Sequence, residues 1–156
     1  MNGNKMLPEQ LGFSLLELMV ALVIVAIFAA IAIPSYQSYA RKSVAAQAQQ
    51  SMKQIATELE KHKSRNFNYL NFVTTPNPVI IPNGATGSAV KYEIVVKDGD
   101  NTANALTSSS STGQSWAIMA TSKDEKNNSY VMTSTGVHCY KQGTSIGFDC
   151  SGAKSW

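Results

Sequence analysis

The polarity of this chain is divided sharply along its length. Leu18 to Ile33 is sixteen residues without one polar side chain, and no charge appears between Leu18 and Ala40. A helix apolar on every side has no face for water, and the rest of the chain is too small to wrap it, so a buried core helix is a poor reading. The helical pattern then changes character. Val44, Ala48, Met52, Ile55 and Leu59 recur at spacings of four, four, three and four among Gln, Lys, Ser and Glu, which is one apolar stripe on an otherwise polar helix. A helix from Phe13 to about Lys63 would be roughly 75 Å long at ~1.5 Å per residue. Pro34 lacks an N–H and should weaken the bond to Ala30, as a hinge for the stem or as a tolerated kink.

After Ser64 the helical period is lost. Asn66 to Gly87, with Pro76, Pro78, Pro82 and Asn83-Gly84, reads as a surface connection. Val90, Tyr92, Ile94 and Val96 alternate with Lys91, Glu93 and Lys97, the pattern of a half-buried strand. Asp98 to Asn101 reads as a turn, and Asn101 to Gln114, with four consecutive serines, as a flexible loop. Ser115 to Ser122, Ser129 to Ser134 and Val137 to Lys141 complete a predicted antiparallel sheet of about four strands, packed on the helix stripe as an α+β head. Trp116, Ile118, Tyr130 and Met132 are its expected core.

Composition alters this picture in two places. The net charge of +3 is too thinly spread to announce a nucleic-acid protein by itself. The two cysteines, Cys139 and Cys150, stand close together near the C-terminal end without metal-binding spacing. Behind an apolar N-terminal segment such a pair reads as exported and oxidised, against the alternative of two unrelated thiols. A bond between them would close a ten-residue loop, worth ~3 kcal/mol in the chain-entropy account.

Three readings of the apolar run remain: a removable secretory signal, a simple membrane anchor, or a specialised assembly helix. Ala30-Ile31-Ala32 fits a signal cleavage site, and Lys5 supplies an upstream charge. Glu17 argues the other way. An acid at the edge of such a run costs ~1–3 kcal/mol on insertion, and a charge placed there usually has a partner. Cleavage between Gly12 and Phe13 would unmask an α-amino group four residues from Glu17, on the same helical face. The carboxylate would neutralise its own amine or that of a neighbouring subunit. In the second case it sets a register that apolar contacts alone leave free to slide.

These residues, Gly12-Phe13-Ser14-Leu15-Leu16-Glu17-Leu18, followed by the apolar run and Ile33-Pro34-Ser35-Tyr36, resemble the type IV pilin and pseudopilin family. The resemblance covers roughly Gly12 to Lys42 and fades beyond. It implies a leader, residues 1–12, removed between Gly12 and Phe13 by a prepilin peptidase that also N-methylates Phe13. It implies a helix over residues 13–64, membrane-spanning over 13–40, and a head over 65–156 with a C-terminal disulfide loop between Cys139 and Cys150. Glu17 becomes the subunit-assembly residue and Pro34 the helix kink. The sequence departs from the family where Leu11 replaces the usual basic residue before Gly12. Arg41 and Lys42, flanking the far end of the run, also oppose export by the positive-inside rule. The processing motif and the cysteine pair favour a cytoplasmic leader, an inner-membrane helix, a periplasmic head and eventual residence in a surface filament.

The resemblance points to a minor subunit of a type IVa pilus, PilE-like, serving assembly, twitching or adhesion. Its partners would be other pilins, the prepilin peptidase and the inner membrane, with DNA or a host or abiotic surface as further candidates. The alternatives are a competence pilin that binds DNA and a type II secretion pseudopilin. Lys141 and Lys154, with Tyr140, Phe148 and Trp156 nearby, are the candidate DNA or surface contacts, against the plainer reading of packing aromatics and solubilising charges. No enzyme is indicated. His62 and His138 have no partner at ligand or triad spacing, no phosphate loop exists, and no cofactor or metal is called for.

Overall fold

The computed structural model describes residues 12–156; most of the expected leader, with Lys5, lies outside the described residues. The chain divides after Tyr39 into two compact units.

The first unit is the opening half of a helix, α1, which runs from Leu15 to Asn66 over 52 residues and continues through Pro34. From Gly12 to Tyr39 every residue except Ala29 and Ser38 is exposed. Leu18, Val20, Leu22, Val23, Ile24, Ile27, Phe28 and Ile31 thus present their side chains outward with nothing packed on them. This segment is the one helix among the described residues long and apolar enough to cross a membrane. Such a surface is stable only under lipid or other apolar helices.

In the second unit the same helix becomes one-sided. Ala48, Met52, Ile55 and Leu59 are buried and Val44 is half-buried against them. The stripe packs on a sheet of six strands: β1 (Val79–Ile81), β2 (Tyr92–Asp98), β3 (Trp116–Ser122), β4 (Asn128–Thr133), β5 (His138–Gln142) and β6 (Lys154–Ser155). They lie in chain order, each antiparallel to the next. Register aligns Ile94 with Ala120, Ile118 with Met132, Ala120 with Tyr130, and Tyr130 with Tyr140. Directly opposed residues share a face, so this set faces the helix together with Tyr92 and Trp116. The four core residues expected from sequence are all buried.

The sheet has six strands rather than four, and both additions fall where sequence patterning is weakest. β1 lies inside the proline-rich segment expected to be a surface connection, yet Ile81 is buried and Val79 pairs with Ile94. Three residues bounded by prolines carry no period, and prolines are tolerated beside an edge strand. β6 is two residues long and is recruited only because the C-terminal segment returns to β5.

The serine-rich loop is likewise tied down. Asp98 is fully buried at the end of β2, and its carboxylate accepts the amides of Asp100 at 3.0 Å and Thr112 at 2.7 Å. Leu106 from the same loop is buried in the core, and its carbonyl accepts the Asn71 amide at 2.9 Å. The Tyr69 amide bonds the Gly113 carbonyl, also at 2.9 Å. Gly113 has φ +64°, and a Cβ there would collide with Leu70, so glycine is required at that crossing.

Candidate functional site

At the N-terminal end of α1, Ser14 is the residue before the first helical position. Its hydroxyl accepts the Glu17 amide at 3.2 Å, and its carbonyl receives Glu17 and Leu18 at 3.1 and 3.2 Å. Ser14-Leu15-Leu16-Glu17 has the S-x-x-E spacing of a capping box. That signal is legible in the sequence and is missed when Glu17 is read only as a charge in search of an amine. Phe13 is 76% exposed, and a Cβ at Gly12 would meet nothing within 4 Å. Glu17 places an acid in the first turn, where the helix dipole favours one.

At the other end of the chain Cys139 and Cys150 are joined by a disulfide, with Cα atoms 5.9 Å apart. Cys139 lies opposite Val131, on the sheet face turned away from the helix. The loop folds back over that face. Ile146, Phe148, Cys150 and Ala153 close on Val131, Cys139 and Met119 as a second small apolar cluster. The loop's entry is fixed where the Gly143 amide bonds the Asn127 carbonyl at 2.8 Å and the Ser129 hydroxyl bonds the Gly143 carbonyl at 2.7 Å.

The surface residues singled out from sequence are separated by the fold. Lys154 lies opposite Tyr140, and Lys141 opposite Ser129. Because Tyr140 and Lys141 are adjacent in one strand, the two lysines leave the sheet on opposite faces. Both are exposed. The aromatics are divided too. Tyr140 and Trp156 pack on the helix-side core, whereas Phe148 belongs to the cluster under the loop. Trp156 stands 5.7 Å from the Tyr130 ring, and its indole N–H donates to the Cys139 carbonyl at 3.0 Å.

A feature absent from the sequence reading lies where α1 ends. Phe67 is 87% exposed and has φ +62°, a left-handed backbone that phenylalanine rarely adopts. Lys61, Lys63 and Arg65 precede it. Unusual backbone conformation does not show in composition, so little in the sequence could have marked this residue. Among the described residues no group of three or more His, Cys, Asp or Glu gathers in a form able to hold a metal ion.

The comparisons with known proteins agree with this geometry. The family model for "Type IV minor pilin ComP, DNA uptake sequence receptor" matches residues 34–145, and that for the prokaryotic N-terminal methylation motif matches residues 8–33. The type IV major fimbrial protein FimA of Dichelobacter nodosus is 31% identical over 106 residues, covering 59% of this chain and 68% of its own length. The type IV major pilin protein PilE1 of Neisseria gonorrhoeae is 36% identical over 104 residues, covering 64% of this chain and 59% of its own. No solved structure matches. A methylation motif leading into an exposed apolar helix, and a family match spanning most of the head, place this chain in the type IV pilin family as a minor pilin of the ComP group.

Proposed function

We propose that this chain is a minor pilin that enters a type IV pilus and binds DNA there for uptake. The observation that carries the proposal is the family match across residues 34–145, which includes the helix stripe and five of the six strands. In this reading the chain sits in the inner membrane with its head in the periplasm. A prepilin peptidase cuts between Gly12 and Phe13 and methylates Phe13. Glu17 then pairs with the Phe13 amine of a neighbouring subunit as the apolar half-helix moves from lipid into the filament core.

The DNA-binding half of the proposal draws on charge. Lysines exposed on a rigid sheet supply phosphate contacts whose strength falls with salt. Lys141 and Lys154 are candidates, but on opposite faces they would not track one stretch of backbone together. Substituting each singly therefore asks which face is used.

The test is binding of the purified mature chain, in detergent, to labelled duplex DNA over a salt series, alongside transformation of a strain lacking the gene. Salt-dependent binding together with lost transformation supports the reading. A chain that enters pili, shows no salt-dependent DNA affinity and leaves transformation unchanged when deleted overturns the DNA half and leaves a purely structural subunit.

A further inference from the structure

We propose that the end of α1 is a DNA-docking surface in which Phe67 wedges against a base step while Lys61, Lys63 and Arg65 lie on the flanking phosphates. This rests on the DNA-binding reading above and assigns to it residues that neither the sequence reading nor the family description names.

Two independent observations meet at Phe67. Its side chain is 87% exposed, although large aromatics gain more than most residues from burial. Its φ of +62° is a conformation normally left to glycine or asparagine just past a helix end. Asparagines stand on both sides of it, at Asn66 and Asn68. The backbone is nevertheless held, because the Phe67 amide bonds the Lys63 carbonyl at 2.7 Å. A ring projected into water from a fixed backbone has low ordering cost when a flat partner arrives.

The basic side chains before Phe67 are not tied up in ion pairs with the nearby acids. The Glu60 carboxylate is taken by the Tyr69 hydroxyl at 2.9 Å and the Trp116 indole at 3.2 Å, and Glu58 accepts Gln54 at 3.3 Å. The one salt bridge among the described residues joins Lys123 to Glu93, so Lys61, Lys63 and Arg65 form none. Helical spacing puts Lys61 and Arg65, four apart, on one side. Lys63 lies on the other, with its ammonium 4.7 Å from the Tyr69 ring centroid. Cations thus leave the last turns of the helix on two sides, just ahead of Phe67 in the chain.

Cations in a last helical turn also complement the helix dipole, which would account for the lysines alone. It does not account for Phe67. A second copy of this chain is a poor occupant, because it carries a net charge of +3 and would bring like charge to a cationic end. A polyanion with flat faces matches both features, through base–aromatic contact and phosphate contact.

The experiment compares the full mature chain with Phe67→Ala, Phe67→Trp and a triple Lys61→Gln, Lys63→Gln, Arg65→Gln variant, by anisotropy of a labelled duplex at several salt concentrations. Melting temperature is the folding control, and a ring this exposed should leave it unmoved. Phe67→Ala should weaken binding about tenfold, the scale of one lost base contact, with an unchanged salt slope. Phe67→Trp should bind as well as the parent, with its added indole emission quenched by DNA. The triple variant should flatten the slope by about 2–3, near one per lost phosphate contact. Equal affinity of Phe67→Ala and parent overturns this assignment and leaves the DNA reading intact. Absence of binding by the parent chain overturns both.

Discussion

The indole N–H of Trp116 donates to the Glu60 carboxylate at 3.2 Å across fifty-six residues of sequence, and the Tyr69 hydroxyl reaches the same oxygen at 2.9 Å. One acceptor on the outer edge of α1 therefore ties together the helix, the segment after it and the start of β3. The contact orients what apolar packing alone would hold less specifically. Met52, Ile55 and Leu59 supply attraction between helix and sheet, while the paired donors fix rotation about the helix axis.

Glu60→Ala leaves the Trp116 and Tyr69 donors without their partner. It should cost about 1–2 kcal/mol in denaturant unfolding, because hydrogen bonds to charged groups are worth ~1.5–3 kcal/mol when sheltered and this carboxylate is partly hydrated. Glu60→Gln retains an acceptor oxygen and should lose less. Equal losses in the two variants would show that the charge, not the acceptor geometry, holds the helix in place.

Tyr92 makes the head sensitive to alkali. Its ring is fully buried beneath the helix, and its hydroxyl donates to the Asn128 carbonyl at 2.8 Å. Burial, with a smaller contribution from Tyr130, raises its pKa well above that of an ordinary phenol. The folded state therefore holds the proton more tightly than the unfolded chain. Stability from this group is complete below the ordinary phenol pKa of ~10 and is lost as pH rises above it toward the folded value. Tyr69 is shifted the same way by burial and by its bond to Glu60. The tyrosinate absorbance of Tyr92 should appear only when circular dichroism reports unfolding. Tyr92→Phe should be less stable at neutral pH by ~0.5–1.5 kcal/mol and lose less of its stability above pH ~10. Early, full titration of every tyrosine in the folded protein would contradict this.

What was legible in the sequence had a period. The stripe from Val44 to Leu59 and the alternation around Tyr92 and Ile94 are repeated signals, and the helix and central strands lie where they place them. β1 and β6 are too short to repeat, and β1 is masked by prolines. The loop from Asn101 to Gln114 reads as flexible because its serines say nothing of Asp98, a buried carboxylate that collects the amides of Asp100, just before the loop, and of Thr112 within it. Site residues divide the same way. Gly12, Phe13 and Glu17 form a contiguous motif. Lys141 and Lys154 are near in sequence, yet strand pairing sends them to opposite faces. Phe67 is conspicuous only through its backbone angle and exposure.

Breaking the Cys139–Cys150 bond should loosen one face of the head rather than the whole. The bond closes a loop of sequence separation 11, so the chain-entropy account gives about 3 kcal/mol. Cys139 lies inside β5 under Ile146, whereas Cys150 is at the loop's end and half-buried. Cys150→Ser should release Ile146 and Phe148 from Val131, raising hydrogen exchange from Gly143 to Ala153. The Tyr92, Ile118 and Leu59 core should stay protected at room temperature. Loss of protection across β2 and β3 as well would mean that the loop is a condition of folding rather than a cover on its outer face.

Two features of Glu17 can be separated: the cap on its amide and the charge proposed to pair with a neighbouring subunit. Its amide is capped by the Ser14 hydroxyl, a bond that does not involve the Glu17 carboxylate. Ser14→Ala removes that cap and should cost about 1 kcal/mol at the helix start, leaving the acid available to a neighbour. Glu17→Gln keeps the size and hydrogen-bonding reach of the side chain but removes its charge. If charge pairing with the Phe13 amine of an adjacent subunit drives incorporation, Glu17→Gln and Glu17→Ala should both leave the chain in the membrane and out of sheared pili. Mass spectrometry should still find methylated Phe13 at the mature N-terminus, because peptidase processing precedes assembly in this reading. Ser14→Ala should enter pili at close to the parental level. Normal incorporation of Glu17→Gln would remove the charge-pairing role and leave subunit register to other contacts.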